Sequence, residues 1–177
     1  MTRYVAFLRA INVGGHIVKM DHLRALCESI PLAKVTTFIA SGNVLFESAK
    51  PVAHVEAAIE KKLRAVLGYE VAAMVRSGAD LGAIVERVTR NELDHGVRLY
   101  VGLMKNPAPP AVVKTVAAMS NDLDVLTVRG AEVYWQCRTS FSESTIVGSK
   151  LEKALGRPVT FRNITTIRRV AEKLTPA

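Results

Sequence analysis

Three short stretches of this 177-residue sequence place flexible, polar and cationic residues close enough together to do chemistry. The first, RAINVGGHIVKM (9–20), leaves an apolar run at Arg9, passes Asn12 and the pair Gly14–Gly15, and then presents His16 and Lys19. Paired glycines can aim backbone N–H groups at an anion as a nest, or simply turn a strand into a helix. Neither the GxxxxGK[ST] pattern nor the GxGxxG fingerprint is present, so the glycines alone favour the turn. The second stretch, SGNV (41–44), offers the Ser41 hydroxyl and the Asn43 amide. With no GxSxG elbow and no marked histidine partner, Ser41 reads as a turn residue rather than a nucleophile. Asn43 is placed to hydrogen-bond across to the first loop. The third stretch, TFRNITT (160–166), sets Arg162 and Asn163 just before an expected helix, with Thr165 and Thr166 in its first turn. A helix start gathers unpaired N–H groups and the positive end of the dipole, which suits an anion. Lys150 sits early in the preceding helix, where a cation opposes the dipole unless an anion is near. A capped helix with an arginine salt bridge explains the same residues without a ligand.

Together these stretches suggest a composite basic site for a phosphate-bearing ligand, with nucleic acid or a nucleotide as the leading class. Arg9, Asn12, Gly14 and Gly15 would meet Lys150, Arg162, Asn163 and Thr166, with Ser41 and Asn43 beside them. Backbone N–H groups and Arg162 would hold the phosphate, Lys150 would neutralise charge, and Asn12 and Asn43 would orient the ligand. Two alternatives stay open. One is an enzyme acting on a small phosphorylated or carboxylated metabolite, for which His16 is the one base that can be named; its reaction and catalytic residues are not specified. The other is an interaction module that dimerises through an exposed sheet face.

The remaining composition narrows the field. The four histidines are scattered, so no metal site and no cofactor is expected. Glu56 and Glu60 share a helical face but lie among Lys61, Lys62 and Arg64, which suggests ion pairing rather than catalysis. The net charge of +8 is uneven: +3 over residues 1–80, zero over 81–144 and +5 over 145–177. That bias supports a basic patch near the third stretch. No apolar run reaches the ~18 residues of a membrane span. Cys27 and Cys137 lack metal or redox spacing, and two reduced, buried thiols of a cytoplasmic protein are the expectation, with a bridge as the alternative.

The elements needed to position these residues can be traced from periodicity. A strand (3–9), a helix (19–30), two strands (34–40 and 43–48) in a tight hairpin, a helix (51–68) and a strand (70–76) give β-α-β-β-α-β. In the helix over 51–68 the expected apolar stripe is Val52, Val55, Ala58/Ile59, Leu63 and Val66. After a connecting helix (78–88) the order repeats: strand 96–104, helix 111–120, a hairpin over 124–137 around Arg129–Gly130, helix 147–156 and strand 158–162. In that hairpin Tyr134 and Trp135 must face opposite ways, so one is a candidate stacking residue, with burial under a neighbouring helix the plainer fate. Asn163 then caps a last helix, 164–174. The expected fold class is α+β: two tandem ferredoxin-like repeats with antiparallel sheets, at 1–77 and 96–177, a connecting segment at 78–95 and a C-terminal helix.

YVAFLRAINVGG (4–15), TFIASGNVLFES (37–48), GSKLEKALG (148–156) and TFRNITTI (160–167) resemble, in that order, the bacterial domain-of-unknown-function family 1697. The resemblance spans almost the whole chain and implies a soluble bacterial α/β protein, with no activity attached. His16 stands where such proteins commonly carry lysine, and their Asn-Pro-Phe-like segment before the central strand has no counterpart around 91–96.

Overall fold

The computed structural model of the chain describes residues 1–90, 97–139, 142–146 and 148–175. The expected loop residue His95, with its neighbour Asp94, lies outside them. Contacts divide the chain into two units, one comprising Met1–Ala83 and the chain from Arg169 onward, the other Ile84–Arg168. The architecture is mixed α+β. Among the described residues there are two four-stranded antiparallel sheets and six helices.

In the first unit, strand β1 (Thr2–Leu8) is central. Helix α1 (Met20–Glu28), strands β2 (Ala33–Phe38) and β3 (Asn43–Ser48), helix α2 (Val52–Leu67) and strand β4 (Ala73–Ser77) follow. The sheet order is β2-β3-β1-β4. Alternation decides the faces. Ala6, Leu8, Val44, Phe46, Ala73 and Val75 pack with Leu23, Cys27, Ile59 and Leu63 of the two helices into one buried core. Helix α3 (Gly78–Arg90) begins in this unit with a capping box: Ser77 Oγ accepts the Asp80 N–H at 3.1 Å, and Asp80 Oδ2 accepts the Ser77 N–H at 2.8 Å. The last turns of helix α6 (Ile164–Leu174) also belong here, with Arg169 and Lys173 over the Phe38 ring at 4.9 and 5.0 Å.

The second unit repeats the order. Strand β5 (Arg98–Leu103) is central, followed by helix α4 (Pro110–Ala117), the hairpin β6 (Asp124–Arg129) and β7 (Glu132–Cys137), helix α5 (Gly148–Leu155) and strand β8 (Thr160–Asn163). The sheet order is β6-β7-β5-β8, the pattern of the first. Trp135, Leu126, Val133 and Val159 pack with Val116 of α4 and Leu151 and Leu155 of α5. Gly102, in mid-β5, leaves room for a neighbour: a Cβ there would stand 2.5 Å from Phe161 and 2.9 Å from Val159. The Phe161 ring is itself packed edge-on against Trp135 at 5.7 Å, so it cannot retreat cheaply. Gly102→Ala is therefore expected to cost about 1–3 kcal/mol, read as a lower denaturation midpoint.

Two sequence expectations are corrected. The β2–β3 connection is not a tight two-residue hairpin. Phe38 pairs with Asn43 across a loop at 39–42, because the buried Asn43 side chain donates to the Phe38 carbonyl at 2.9 Å and closes the wider turn. Val66 is 47% exposed and leaves the α2 stripe. In its place Glu56 is buried, and both α2 carboxylates reach backbone amides that the sequence did not suggest as partners. Glu56 accepts the Val75 N–H at 3.0 Å and Glu60 the Ala73 N–H at 2.8 Å, so both cap the outer edge of β4. Along the edge of β6, Ser120 Oγ accepts the Leu126 N–H at 3.0 Å and Asn121 Oδ1 the Asp124 N–H at 3.0 Å. Capped edges resist strand addition by another chain.

Both cysteines are free and buried. Burial, with a smaller push from Glu28, raises the Cys27 thiol from 9.0 to about 11. A folded value above the unfolded one favours the folded state below pH ~9, and that contribution, about 3 kcal/mol, is lost as pH rises towards 11. The stability gap between the wild type and Cys27→Ala should shrink by about that amount over the window, measured by chemical denaturation at each pH. At neutral pH the thiol should also resist alkylation until the unit opens.

No helix among the described residues is long and apolar enough to cross a membrane.

Candidate functional site

Each unit places its own share of the residues singled out from sequence. In the first, β1 delivers the chain into a loop with left-handed backbone at Ala10, Asn12, Gly14 and Gly15. Asn12 holds this loop closed: its Oδ1 accepts the Val18 N–H at 2.6 Å and its Nδ2 donates to the Ala40 carbonyl at 2.8 Å. The bond that crosses to the 39–42 loop therefore comes from Asn12, while Asn43 donates to Phe38 and to Ser41 Oγ at 3.1 Å. Asn12, Ser41 and Asn43 thus converge on one loop pair. Arg9, partly exposed, holds its backbone N–H to the Ala72 carbonyl at 2.8 Å. Gly14 and Gly15 have φ of 62° and 87°, with nothing within 4 Å of where a Cβ would stand. They meet a backbone need, not a packing one. The His16 ring stacks on Tyr69 at 3.9 Å.

In the second unit, Asn163 caps α6 as expected, its Oδ1 accepting the Thr166 N–H at 2.7 Å. Lys150 is exposed in the first turn of α5. Arg162 is buried at 8% exposure, and its Nη1 donates to Thr160 Oγ1 and to the Phe161 carbonyl, both at 2.9 Å. Burial lowers its guanidinium to about 10. Arg76, at the matching place on β4, is 7% exposed and bonds the preceding carbonyl, Val75, at 3.0 Å. Each sheet thus ends its last strand in a buried arginine followed by a helix-capping residue.

A cleft that sequence reading missed lies on the other face of the second sheet. It measures about 310 Å³ and is bordered by Arg87 and Val88 of α3, Leu99 of β5, Thr127 and Arg129 of β6, and Tyr134 and Gln136 of β7. Alternation puts Trp135 in the core, fully buried, and turns Tyr134 to this face beneath α3. Arg87 Nη1 donates to the Tyr134 hydroxyl at 2.7 Å, and its guanidinium lies 5.7 Å from the ring centre. Burial holds the Tyr134 phenol above its ordinary value, with Arg87 pulling the other way. The side chains of Thr127, Arg129 and Gln136 make no hydrogen bond or ion pair among the described residues. Among the described residues no carboxylate borders the cleft, although Glu132, opposite Arg129 in the ladder, is near enough to act on Tyr134. Two guanidiniums, a phenol and two further hydrogen-bonding side chains over Val88 and Leu99 can hold an anion with an apolar or planar body. The signal was present in sequence as Thr127/Arg129 and Tyr134/Gln136 at period two, but which helix covers that face is a tertiary fact.

A family model described as a protein of unknown function (DUF1697) matches residues 1–134. The chain belongs to this family. Its fold is similar to that of the conserved bacterial protein SP0830 from Streptococcus pneumoniae, with a TM-score of 0.75 at 24% identity, covering 98% of this chain and 99% of that one. No curated protein matches the chain. The DUF1697 match includes α3, β5, β6 and the first residues of β7, and ends at Tyr134, two residues short of Gln136.

Proposed function

We propose that this DUF1697 protein binds a phosphate-bearing ligand, with nucleic acid or a nucleotide as the leading class, and that the cleft on the second sheet holds the anionic group. The observation that carries this reading is the convergence of Arg87 and Arg129 with the hydrogen-bonding side chains of Thr127, Tyr134 and Gln136 on one cleft, with no carboxylate among its described bordering residues. An exposed arginine with no acidic partner is poised for a bidentate anion, the geometry in which guanidinium surpasses ammonium. We read the two units as ferredoxin-like repeats, a reading supported by their shared strand order and by the matched Arg76–Ser77 and Arg162–Asn163 strand ends. Arg9, Gly14 and Gly15 in the first unit and Lys150 and Thr166 in the second remain proposed anion contacts, each within its own unit. Arg162 is proposed to act mainly in holding β8.

Calorimetric titration with inorganic pyrophosphate at low salt tests the reading. Saturable binding is expected, weakening as salt is raised. Glu132→Gln, which removes a nearby negative charge, should tighten it by about threefold, an order of magnitude set by a partly screened charge pair. Heat of dilution alone for the wild type would overturn the proposal.

A further inference from the structure

The strand register orders the residues that border the cleft, and the two ends of that order differ in chemistry. Arg129 stands opposite Glu132 in the β6–β7 ladder, Thr127 opposite Tyr134, and Val125 opposite Gln136. From the level of Arg129 to that of Gln136 is four residues of strand, about 14 Å at ~3.4 Å per residue. The cationic groups occupy one end and the middle: Arg129, then Arg87 on the Tyr134 hydroxyl. Among the described residues that border it, the far end is neutral. There the half-buried Gln136 pairs in register with Leu99, and both border the cleft.

We infer that the cleft is built for an adenine mononucleotide, its phosphate at Arg129 and Arg87 and its base edge at Gln136. This rests on the phosphate-binding reading and adds the identity of the rest of the molecule. A lone phosphate would leave the Gln136 end empty, and a sugar phosphate carries no planar edge for an amide. The Gln136 side chain makes no hydrogen bond among the described residues, so both its N–H donor and its carbonyl acceptor are available. A primary amide matches the adjacent donor and acceptor of adenine, whereas guanine presents two acceptors on the corresponding edge and suits arginine instead. Leu99 and Val88 supply apolar surface beneath a flat base. The volume, about 310 Å³, lies at the small-molecule end of binding sites and suits one nucleotide better than a polymer.

Calorimetry with adenosine 5′-monophosphate, guanosine 5′-monophosphate, ribose 5-phosphate and a short single-stranded oligoadenylate separates the layers of the inference. Adenosine monophosphate should bind about tenfold or more tightly than ribose 5-phosphate, the margin one bidentate amide contact provides. Gln136→Leu should erase that margin and leave ribose 5-phosphate unchanged, while Arg129→Ala should weaken both. Equal affinity for ribose 5-phosphate and the mononucleotide, or preference for the guanine nucleotide, would overturn the adenine assignment and leave the phosphate site standing. Tighter binding of the oligoadenylate than of the mononucleotide would overturn the single-nucleotide assignment in favour of a polymer. No binding by any of the four would overturn the phosphate reading along with it.

Discussion

Asp124→Ala is expected to destabilise the second unit by about 2–4 kcal/mol, because it strands one fully buried donor and one half-buried one. Asp124 is fully buried at the start of β6. Its Oδ1 accepts the Trp135 indole N–H at 2.7 Å and its Oδ2 the Ser144 hydroxyl at 2.8 Å. Ser144 in turn accepts the Ile146 N–H at 3.0 Å, which holds the approach to α5. The carboxylate therefore ties the hairpin, the core tryptophan and the following segment into one network. Alanine removes the acceptor while the indole stays buried, and that lost desolvation is not recovered from water. Asp124→Asn keeps one acceptor oxygen for the indole and should cost less than half as much. Trp135 is the one tryptophan in the sequence, so its fluorescence during denaturant unfolding reports the change at its source. A loss below about 1 kcal/mol for the alanine variant would show that the network does not anchor this unit.

Arg129→Glu is expected to reduce affinity for pyrophosphate by about a hundredfold or more, roughly 3 kcal/mol, without unfolding the chain. The side chain is exposed and makes no hydrogen bond or ion pair among the described residues, so its removal leaves no described group unpaired. The substitution deletes a charge-assisted contact and adds a repulsive one. Calorimetry gives the affinity, and an unchanged denaturation midpoint separates loss of binding from loss of fold. An affinity within about threefold of the wild type would remove Arg129 from the site, since a desolvated charge contact is worth more than that.

Residue by residue, the sequence revealed elements more readily than the surfaces they bury. Alternation in 43–48 and 132–137 and the glycines after helices identify strands and helix ends, because these depend on neighbours in the chain. The capping role of Asn163 was legible for the same reason. For Glu56 and Glu60 the sequence did not show the amides of Val75 and Ala73 as partners, because those lie across the unit on an edge strand. The wide loop at 39–42 escaped because the Asn43 side chain that closes it is buried within the strand. The cleft needed one further fact: α3, which reads as a plain connector, brings Arg87 onto Tyr134. Period two says that Thr127, Arg129, Tyr134 and Gln136 share a face; it does not say what stands over it.

The central claim is that the second sheet holds a phosphate-bearing ligand in this cleft. Amide NMR spectra of the isotopically labelled chain, recorded during titration with adenosine 5′-monophosphate, test it most directly. The expected result is saturable shifts concentrated at Arg87, Val88, Leu99, Thr127, Arg129, Tyr134 and Gln136, the residues that border the cleft. Shifts confined to residues 9–19, or none that saturate, would contradict it.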